Sequence, residues 1–136
     1  MAEVAGLYVG LVASIGTLIQ LSGIVAEYLR NMAGAPEQKR KLLNEIVSTT
    51  TILDDLQRKA QSPEWSNTLD LLQQPKGPLE LFKSALQALE NKTKPSNNRF
   101  MKVTKRFIFH FEKGEYEEIF AKIERSKSNF MIVLGL

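Results

Sequence analysis

Cysteine is absent from this chain of 136 residues, and histidine occurs once, at His110. Without cysteine there is no disulfide framework, no thiolate metal site and no cysteine nucleophile, so a reducing interior compartment is expected. A single histidine excludes His-rich metal sites and most acid–base constellations. We therefore expect neither a bound metal nor another cofactor.

The chain also lacks a strong excess of charge of either sign. It carries 18 Lys and Arg residues against 15 Asp and Glu residues, a formal net charge of +3. A DNA-binding domain usually has a stronger basic bias, so nucleic acid is not an expected partner. The 43% hydrophobic fraction excludes a disordered chain. The length is typical of one domain, which is predicted to cover residues 1–136.

Catalytic motifs are missing as well. No serine or threonine has a histidine base in an arranged context, and there is no glycine-rich phosphate loop. The adjacent carboxylates of Asp54 and Asp55 point to different faces of a helix. The sequence therefore predicts a protein that is not an enzyme.

A long segment without charge, Val4–Ala26, covers 23 residues near the N-terminus. As a helix it would be about 34 Å long, enough to cross a hydrocarbon core about 30 Å thick. A secretory signal peptide is excluded, because Glu3 replaces the basic n-region and the apolar stretch exceeds an h-region of about 15 residues. Three interpretations stay open: a membrane anchor, the buried central helix of a soluble bundle, or a helix that serves both purposes in turn.

The faces of this helix differ in character. Small or weakly polar residues that could form helix–helix contacts share one face: Gly6, Gly10, Ala13 and Thr17. The large apolar residues are the candidates for membrane insertion: Val4, Leu7, Val9, Leu11, Val12, Ile15, Leu18, Ile19, Leu21, Ile24 and Val25. Glu3 is either a partner of the helix dipole or an acid at the mouth of an assembled pore. Each glycine costs about 1 kcal/mol of helix propensity, so the helix depends on packing against protein or lipid.

The remaining sequence predicts further helices. A proline at the first turn begins the second helix at Pro36, which should reach about Ala60, although the threonine run near its middle is poor for helix propensity. The other predicted elements are a short helix over Ser62–Leu72, a helix over Leu79–Glu90, a loop over Asn91–Asn98, a helix with an extended tail over Arg99–Phe111, and a last helix after Gly114. The expected fold is an all-α bundle of about five helices whose N-terminal helix is hydrophobic and glycine-rich. The chain ends at Leu136 inside an apolar pattern without a stop signal, as expected of an N-terminal fragment of a longer protein.

A run of basic residues without an intervening acid lies between Glu90 and Glu112. It is either a solvated face or a surface attracted to anionic lipid, at about 1 kcal/mol per basic residue. Nucleic-acid binding is less favoured, because no recognised motif accompanies the run. The candidate lipid contacts are Lys92, Lys94, Arg99, Lys102, Lys105 and Arg106.

An ordered set of short motifs resembles the fungal HeLo-like family. The set comprises the start MAEVAGL with its glycine-rich helix, Gly34-Ala35-Pro36, Leu42–Glu45 with Leu53, Trp65, the Gly77-Pro78-Leu79 turn and Lys122–Lys127. It spans essentially the whole chain. Family members are N-terminal domains of fungal NOD-like (STAND) receptors or of amyloid-controlled cell-death executioners. They are related to HeLo domains and similar to the four-helix bundle of the mixed-lineage kinase-like pseudokinase.

The resemblance implies a cell-death effector domain that is activated by oligomerisation. Its first helix would then insert in the membrane, with anionic lipids and further copies of the chain as partners. Downstream receptor domains or an amyloid motif would complete the full-length protein. The domain would be cytoplasmic at rest and at the plasma membrane after activation, acting in innate immunity or fungal incompatibility. The alternative is a protein–protein interaction module of a NOD-like receptor whose first helix never enters a membrane.

Overall fold

The structure, a computed structural model, describes residues 2–65, 69–94 and 111–136, with the backbone alone for residues 2–9, 71 and 113. Within these ranges the fold is all-helical, without a β-strand. The α-helices are α1 (Ala2–Asn31), α2 (Pro36–Lys59), α3 (Pro78–Thr93) and α4 (Lys113–Leu134). Two 3-10 helices, Pro63–Trp65 and Asp70–Gln73, join α2 to α3.

The predicted class of an all-α bundle with an apolar N-terminal helix is confirmed, but the number of about five helices is wrong for the described residues. Within the helix predicted over Ser62–Leu72, the described residues form 3-10 helices at Pro63–Trp65 and Asp70–Gln73, and residues 66–68 lie outside the described part. The helix predicted to end at Glu90 continues to Thr93, so the polar run after Glu90 begins as helix and not as a loop. The segment predicted over Arg99–Phe111 lies outside the described residues except for Phe111.

The turn between α1 and α2 is tight. Gly34 and Ala35 both have positive φ, at 95° and 46°, and Pro36 then occupies the first turn of α2. Glycine adopts this region without steric cost, whereas alanine is strained there. Lys39 Nζ donates a hydrogen bond to the carbonyl oxygen of Met32 and so satisfies one acceptor that the end of α1 leaves free.

The end of α4 carries a stop signal that the sequence prediction missed. Gly135 has a φ of 78°, and its N–H bonds to the carbonyl oxygen of Ile132, while the N–H of Leu136 bonds to that of Met131. This left-handed C-cap is a usual way for a helix to end. The expectation that the apolar pattern runs on without a stop is therefore wrong.

The four helices form a bundle in the order α1, α2, α4, α3 around its axis. The main packing partners of α1 are α2 and α3, and α4 packs against the same two helices. Gln57 near the end of α2 donates a 3.2 Å hydrogen bond to the carbonyl oxygen of Val12 near the start of α1, so α1 and α2 are antiparallel. In this order α2 and α3 are not neighbours. The chain therefore crosses the bundle between them, which accounts for the long connection with its 3-10 helices.

One face of α1 enters the core with the spacing of a heptad repeat. Six buried residues follow steps of four and three, at Leu11, Ile15, Leu18, Ser22, Val25 and Leu29, and Ala26 is buried beside them. This is the seam that a helix presents to neighbours in a bundle. Ser22 is tolerated there because its hydroxyl donates a 2.8 Å hydrogen bond to the carbonyl oxygen of Leu18. A helix with two main neighbours buries only the face that lies between them, so the opposite side of α1 faces solvent.

The α4 helix has an edge-to-face aromatic contact with α3 and an aromatic stack within its own length. Phe82 of α3 meets Phe130 edge-to-face at 6.1 Å. Tyr116 stacks on Phe120 at 5.7 Å, and burial, with a smaller contribution from the nearby Glu124 carboxylate, raises the pKa of its phenol. The bundle is thus completed by contacts that do not involve α1.

Candidate functional site

The solvent-facing side of α1 is the most unusual surface in the described part of the chain. We define the exposed α1 face as Gly10, Ala13, Ser14, Thr17, Gln20, Gly23 and Ile24, all of which are exposed. None of these residues carries a charge, and the next charged residue along the helix is Glu27. A surface helix of a globular protein ordinarily carries charged and polar residues on the side opposite its buried face.

The other long helices of the same bundle follow the ordinary pattern. The exposed positions of α2 include Glu37, Arg40, Lys41, Asp54 and Arg58. Those of α4 include Glu117, Glu118, Glu124 and Arg125. Packing in the bundle requires only the buried seam of α1 to be apolar. The absence of charge on its exposed face therefore needs a second explanation.

The candidate membrane-inserting residues divide between the core and the surface. Leu11, Ile15, Leu18 and Val25 are buried in the seam, and Val12, Ile19 and Leu21 are half-buried beside it. Ile24 is 43% exposed. The backbone of Val4, Leu7 and Val9 continues the helix, but their side chains, like those of Glu3 and Gly6, lie outside the described part of the structure.

Three of the four predicted helix–helix contact residues lie on the exposed α1 face rather than at a contact within the bundle, and the fourth, Gly6, is described by its backbone alone. Gly10, Ala13 and Thr17 are exposed, and a Cβ added at Gly10 would meet no atom within 4 Å. The glycine that a neighbour approaches closely is instead Gly16, where an added Cβ would lie 3.0 Å from Gln57 Nε2. Sequence reasoning missed this contact, because the register of α1 against α2 has no local signal.

A hydroxyl group on this face finds its partner inside the helix. Thr17 Oγ1 donates a 3.0 Å hydrogen bond to the carbonyl oxygen of Ala13. Internal bonding of this kind is what a polar side chain needs in a medium without water. Thr17 therefore suits both water and lipid.

The described part of α1 includes a segment that is long and apolar enough to span a membrane, Gly10–Asn31 with 22 residues. Only 33% of its most apolar stretch is buried in the bundle. Length and composition alone are weak evidence, since the core helix of a soluble protein meets the same criterion.

The predicted lipid-contacting residues of the basic run differ in their surroundings. The amine of Lys92 forms an ion pair with the Glu115 carboxylate, joining the end of α3 to the start of α4, and it lies 5.7 Å from the centre of the Phe111 ring. These contacts give Lys92 a role inside the bundle. Lys94 is exposed just after α3. Arg99, Lys102, Lys105 and Arg106 lie outside the described residues.

No group of three or more His, Cys, Asp or Glu side chains that could hold a metal occurs among the described residues. Comparison of the chain with protein-family models, curated proteins and solved structures found no match. The resemblance to the HeLo-like family therefore stays a prediction from the ordered motifs.

Proposed function

We propose that this chain is a membrane-targeting, pore-forming type of cell-death effector domain of the HeLo-like kind. In this proposal oligomerisation activates the domain, and α1 leaves the bundle and inserts in the membrane. Its partners are anionic lipids and further copies of the chain, with receptor domains or an amyloid motif downstream. The domain is cytoplasmic at rest, moves to the plasma membrane on activation and has no catalytic activity.

The observation that carries the proposal is the uncharged, exposed α1 face. Burial in the bundle explains only the heptad seam, whereas insertion in lipid requires a helix without charge on every face. In the inserted state the small residues Gly10, Ala13 and Thr17 would allow close approach between α1 helices of neighbouring copies. Glu3 would then lie at one end of the inserted helix, where an acid can line a pore.

The test is an arginine on the exposed α1 face. Thr17→Arg should leave the resting bundle folded, because residue 17 is exposed and surface substitutions usually change stability by less than about 0.5 kcal/mol. Near the middle of an inserted helix, the arginine costs about 3 kcal/mol, which corresponds to about a hundredfold in an equilibrium constant. With the chain oligomerised through a fused assembly tag, leakage of dye from anionic vesicles should fall accordingly, while the melting temperature stays within a few degrees.

Thr51→Arg is the matched control. Thr51 is an exposed threonine on α2, and its hydroxyl donates a 3.0 Å hydrogen bond to the carbonyl oxygen of Val47, as Thr17 does to Ala13. This variant should leak vesicles as well as the unmodified chain. Equal leakage by a folded Thr17→Arg chain would show that α1 is not the inserted element.

The second candidate function is a protein–protein interaction module whose first helix stays in the bundle. The same uncharged face of small residues favours it, because another helix could dock there closely. This candidate predicts no leakage by the oligomerised chain, together with loss of partner binding in Thr17→Arg. Leakage by the unmodified chain therefore separates the two functions.

A further inference from the structure

A groove of about 650 Å³ lies where α1 ends and α2 begins. The apolar side chains of Leu29, Leu43 and Val47 line it, and Val47 is 48% exposed although it is a large hydrophobic residue. Basic side chains of Arg30, Lys39 and Arg40 also line the groove, and among the described residues no acidic side chain does. The groove therefore combines an apolar lining with positive charge.

The charges of two of these bases are not neutralised within the described structure. Arg30 and Arg40 are exposed and form no ion pair with any carboxylate in the described ranges. Lys83 and Arg125 are likewise exposed and form no ion pair with a carboxylate in the described ranges, so Arg30 and Arg40 differ from them in lining an apolar groove. Lys39 is half-buried and donates to the carbonyl oxygen of Met32, so it contributes charge from a fixed position.

We propose that this groove binds an anionic phospholipid, with the headgroup against Arg30 and Arg40 and the upper acyl region against Val47 and Leu43. The positive charge of the groove favours an anionic ligand, and its apolar lining favours a ligand that also has a hydrophobic part. The inference rests on the proposed function and adds a lipid site to it. This site is separate from the basic run that the sequence analysis singled out.

The position of the groove agrees with this ligand. Arg30 lies at the C-terminal end of the Gly10–Asn31 segment, the place where a basic side chain reaches the lipid headgroups when a helix spans a membrane. The bound headgroup would place the end of α1 and the start of α2 at the membrane surface before α1 leaves the bundle. An acidic amphipathic helix of a partner protein has a similar chemistry, but it would not explain why the groove adjoins the end of the spanning segment.

The experiment uses the untagged chain, in which α1 is packed on α2 and the groove is intact. Binding to vesicles is measured by flotation at about 0.1 M salt and at high lipid concentration, because a weak, reversible contact leaves the resting chain mostly in solution. The vesicles contain phosphatidylcholine alone or phosphatidylcholine with phosphatidylserine. The double variant Arg30→Gln with Arg40→Gln should bind the anionic vesicles about 30-fold more weakly, since each basic residue near the surface is worth about fivefold. Arg30→Lys with Arg40→Lys keeps both charges and should bind nearly as well as the unmodified chain.

Matched controls test whether vesicle binding depends on the groove itself or only on the net charge and the exposed hydrophobic residues of the chain. Lys83→Gln with Arg125→Gln removes two exposed charges from α3 and α4 and should change binding little. Val47→Ser should weaken binding severalfold, whereas Ile132→Ser, at a residue that is 71% exposed on α4, should not. Circular dichroism checks the fold of each variant. If the double glutamine variant were unfolded, each single variant should still bind anionic vesicles about fivefold more weakly than the unmodified chain.

The inference is overturned if the unmodified chain ignores anionic vesicles, or if the control pair loses as much binding as the groove pair. It is also overturned if Lys102, Lys105 and Arg106 changed to Glu abolish binding while the groove variants keep it. Leakage by the tagged chain is measured separately. Leakage without groove-dependent binding refutes the lipid site alone, and groove-dependent binding without leakage refutes the proposed pore function alone.

Discussion

At the scale of single residues, the ion pair between Glu45 of α2 and Lys127 of α4 is the least exposed of the ion pairs found among the described residues. The two side chains are 18% and 25% exposed, and the second carboxylate oxygen of Glu45 is buried without a hydrogen-bond partner among the described residues. A carboxylate in this position depends on its single cation. Removing the lysine would leave a poorly solvated negative charge between two helices.

Lys127→Met should therefore destabilise the bundle by about 1–3 kcal/mol, less than the 3–5 kcal/mol of a fully buried pair because some solvent reaches the site. Urea denaturation followed by circular dichroism measures the change. Lys122→Met on the same helix is the control, because Lys122 pairs at 3.5 Å with the exposed carboxylate of Glu118 and should lose less than about 0.5 kcal/mol. Equal losses of unfolding free energy in the two variants would show that the ion pair of Lys127 between α2 and α4 affects stability no more than an exposed pair within one helix.

At the scale of elements, the threonine run of α2 shows how a local pattern can mislead. The run predicts a weak point in the helix, yet Thr49, Thr50 and Thr51 each donate a hydrogen bond to the carbonyl oxygen four residues earlier. Thr49 is fully buried and Thr51 is exposed. The same residue type therefore fills the core at one position and only lowers helix propensity at another.

Thr51→Ala should stabilise the domain by about 0.5 kcal/mol, because alanine has the higher helix propensity and residue 51 contacts no core. Thr49→Ala should instead destabilise it by about 1 kcal/mol or more, since it removes a buried methyl group from close packing. Urea denaturation of both variants gives the two free energies of unfolding. A loss of stability in Thr51→Ala would mean that its hydrogen bond to Val47 outweighs propensity.

Element boundaries were predictable where their cause is local and were missed where it is tertiary. Proline at the first turn predicts the start of α2 correctly, because that effect depends on the chain immediately around Pro36. The extension of α3 to Thr93 depends on contacts with the rest of the bundle, as Thr93 is buried and Lys92 pairs with Glu115 of α4. The 3-10 helices between α2 and α3 arise in the same way, since they connect two helices across the bundle.

The candidate site was predictable to a similar degree. The sequence shows that α1 lacks charge, but both lipid and a protein core select that composition. Only the structure separates the buried seam from the exposed α1 face, because the choice of seam depends on which neighbours pack against the helix. The groove beside Arg30 and Arg40 had no signal in the sequence, as its residues come from the end of one helix and the start of the next.

At the scale of the whole molecule, the bundle divides into α1 and a unit of three helices that have contacts of their own. The Glu45–Lys127 pair joins α2 to α4, and the Phe82–Phe130 contact joins α3 to α4. The α1 helix packs mainly on α2 and α3. Departure of α1 would thus leave these contacts between the other helices in place, at the cost of exposing the core residues that the seam covers.

The last prediction is that a covalent bond between α1 and α2 blocks vesicle leakage reversibly. The chain has no cysteine, so Gly16→Cys with Gln57→Cys would be its only thiol pair. The two positions adjoin, because Gln57 Nε2 lies 3.0 Å from the place of a Cβ at residue 16. A disulfide requires Cβ atoms about 3.5–4.5 Å apart, and a short dithiol-reactive linker serves if the spacing is larger.

The oxidised pair, in the chain oligomerised through its assembly tag, should reduce dye leakage to that of vesicles without protein, and a reducing agent should restore it. Lys92→Cys with Glu115→Cys, joined by a dithiol-reactive linker, is the control, because the link would tie α3 to α4 at the site of an existing ion pair and leave α1 free to move. This control should leak with and without the link. If the oxidised Gly16–Gln57 pair, verified as bonded by mass spectrometry, leaked as fast as its reduced form, permeabilisation would not require α1 to separate from α2, and the uncharged exposed face would have to act from within the intact bundle.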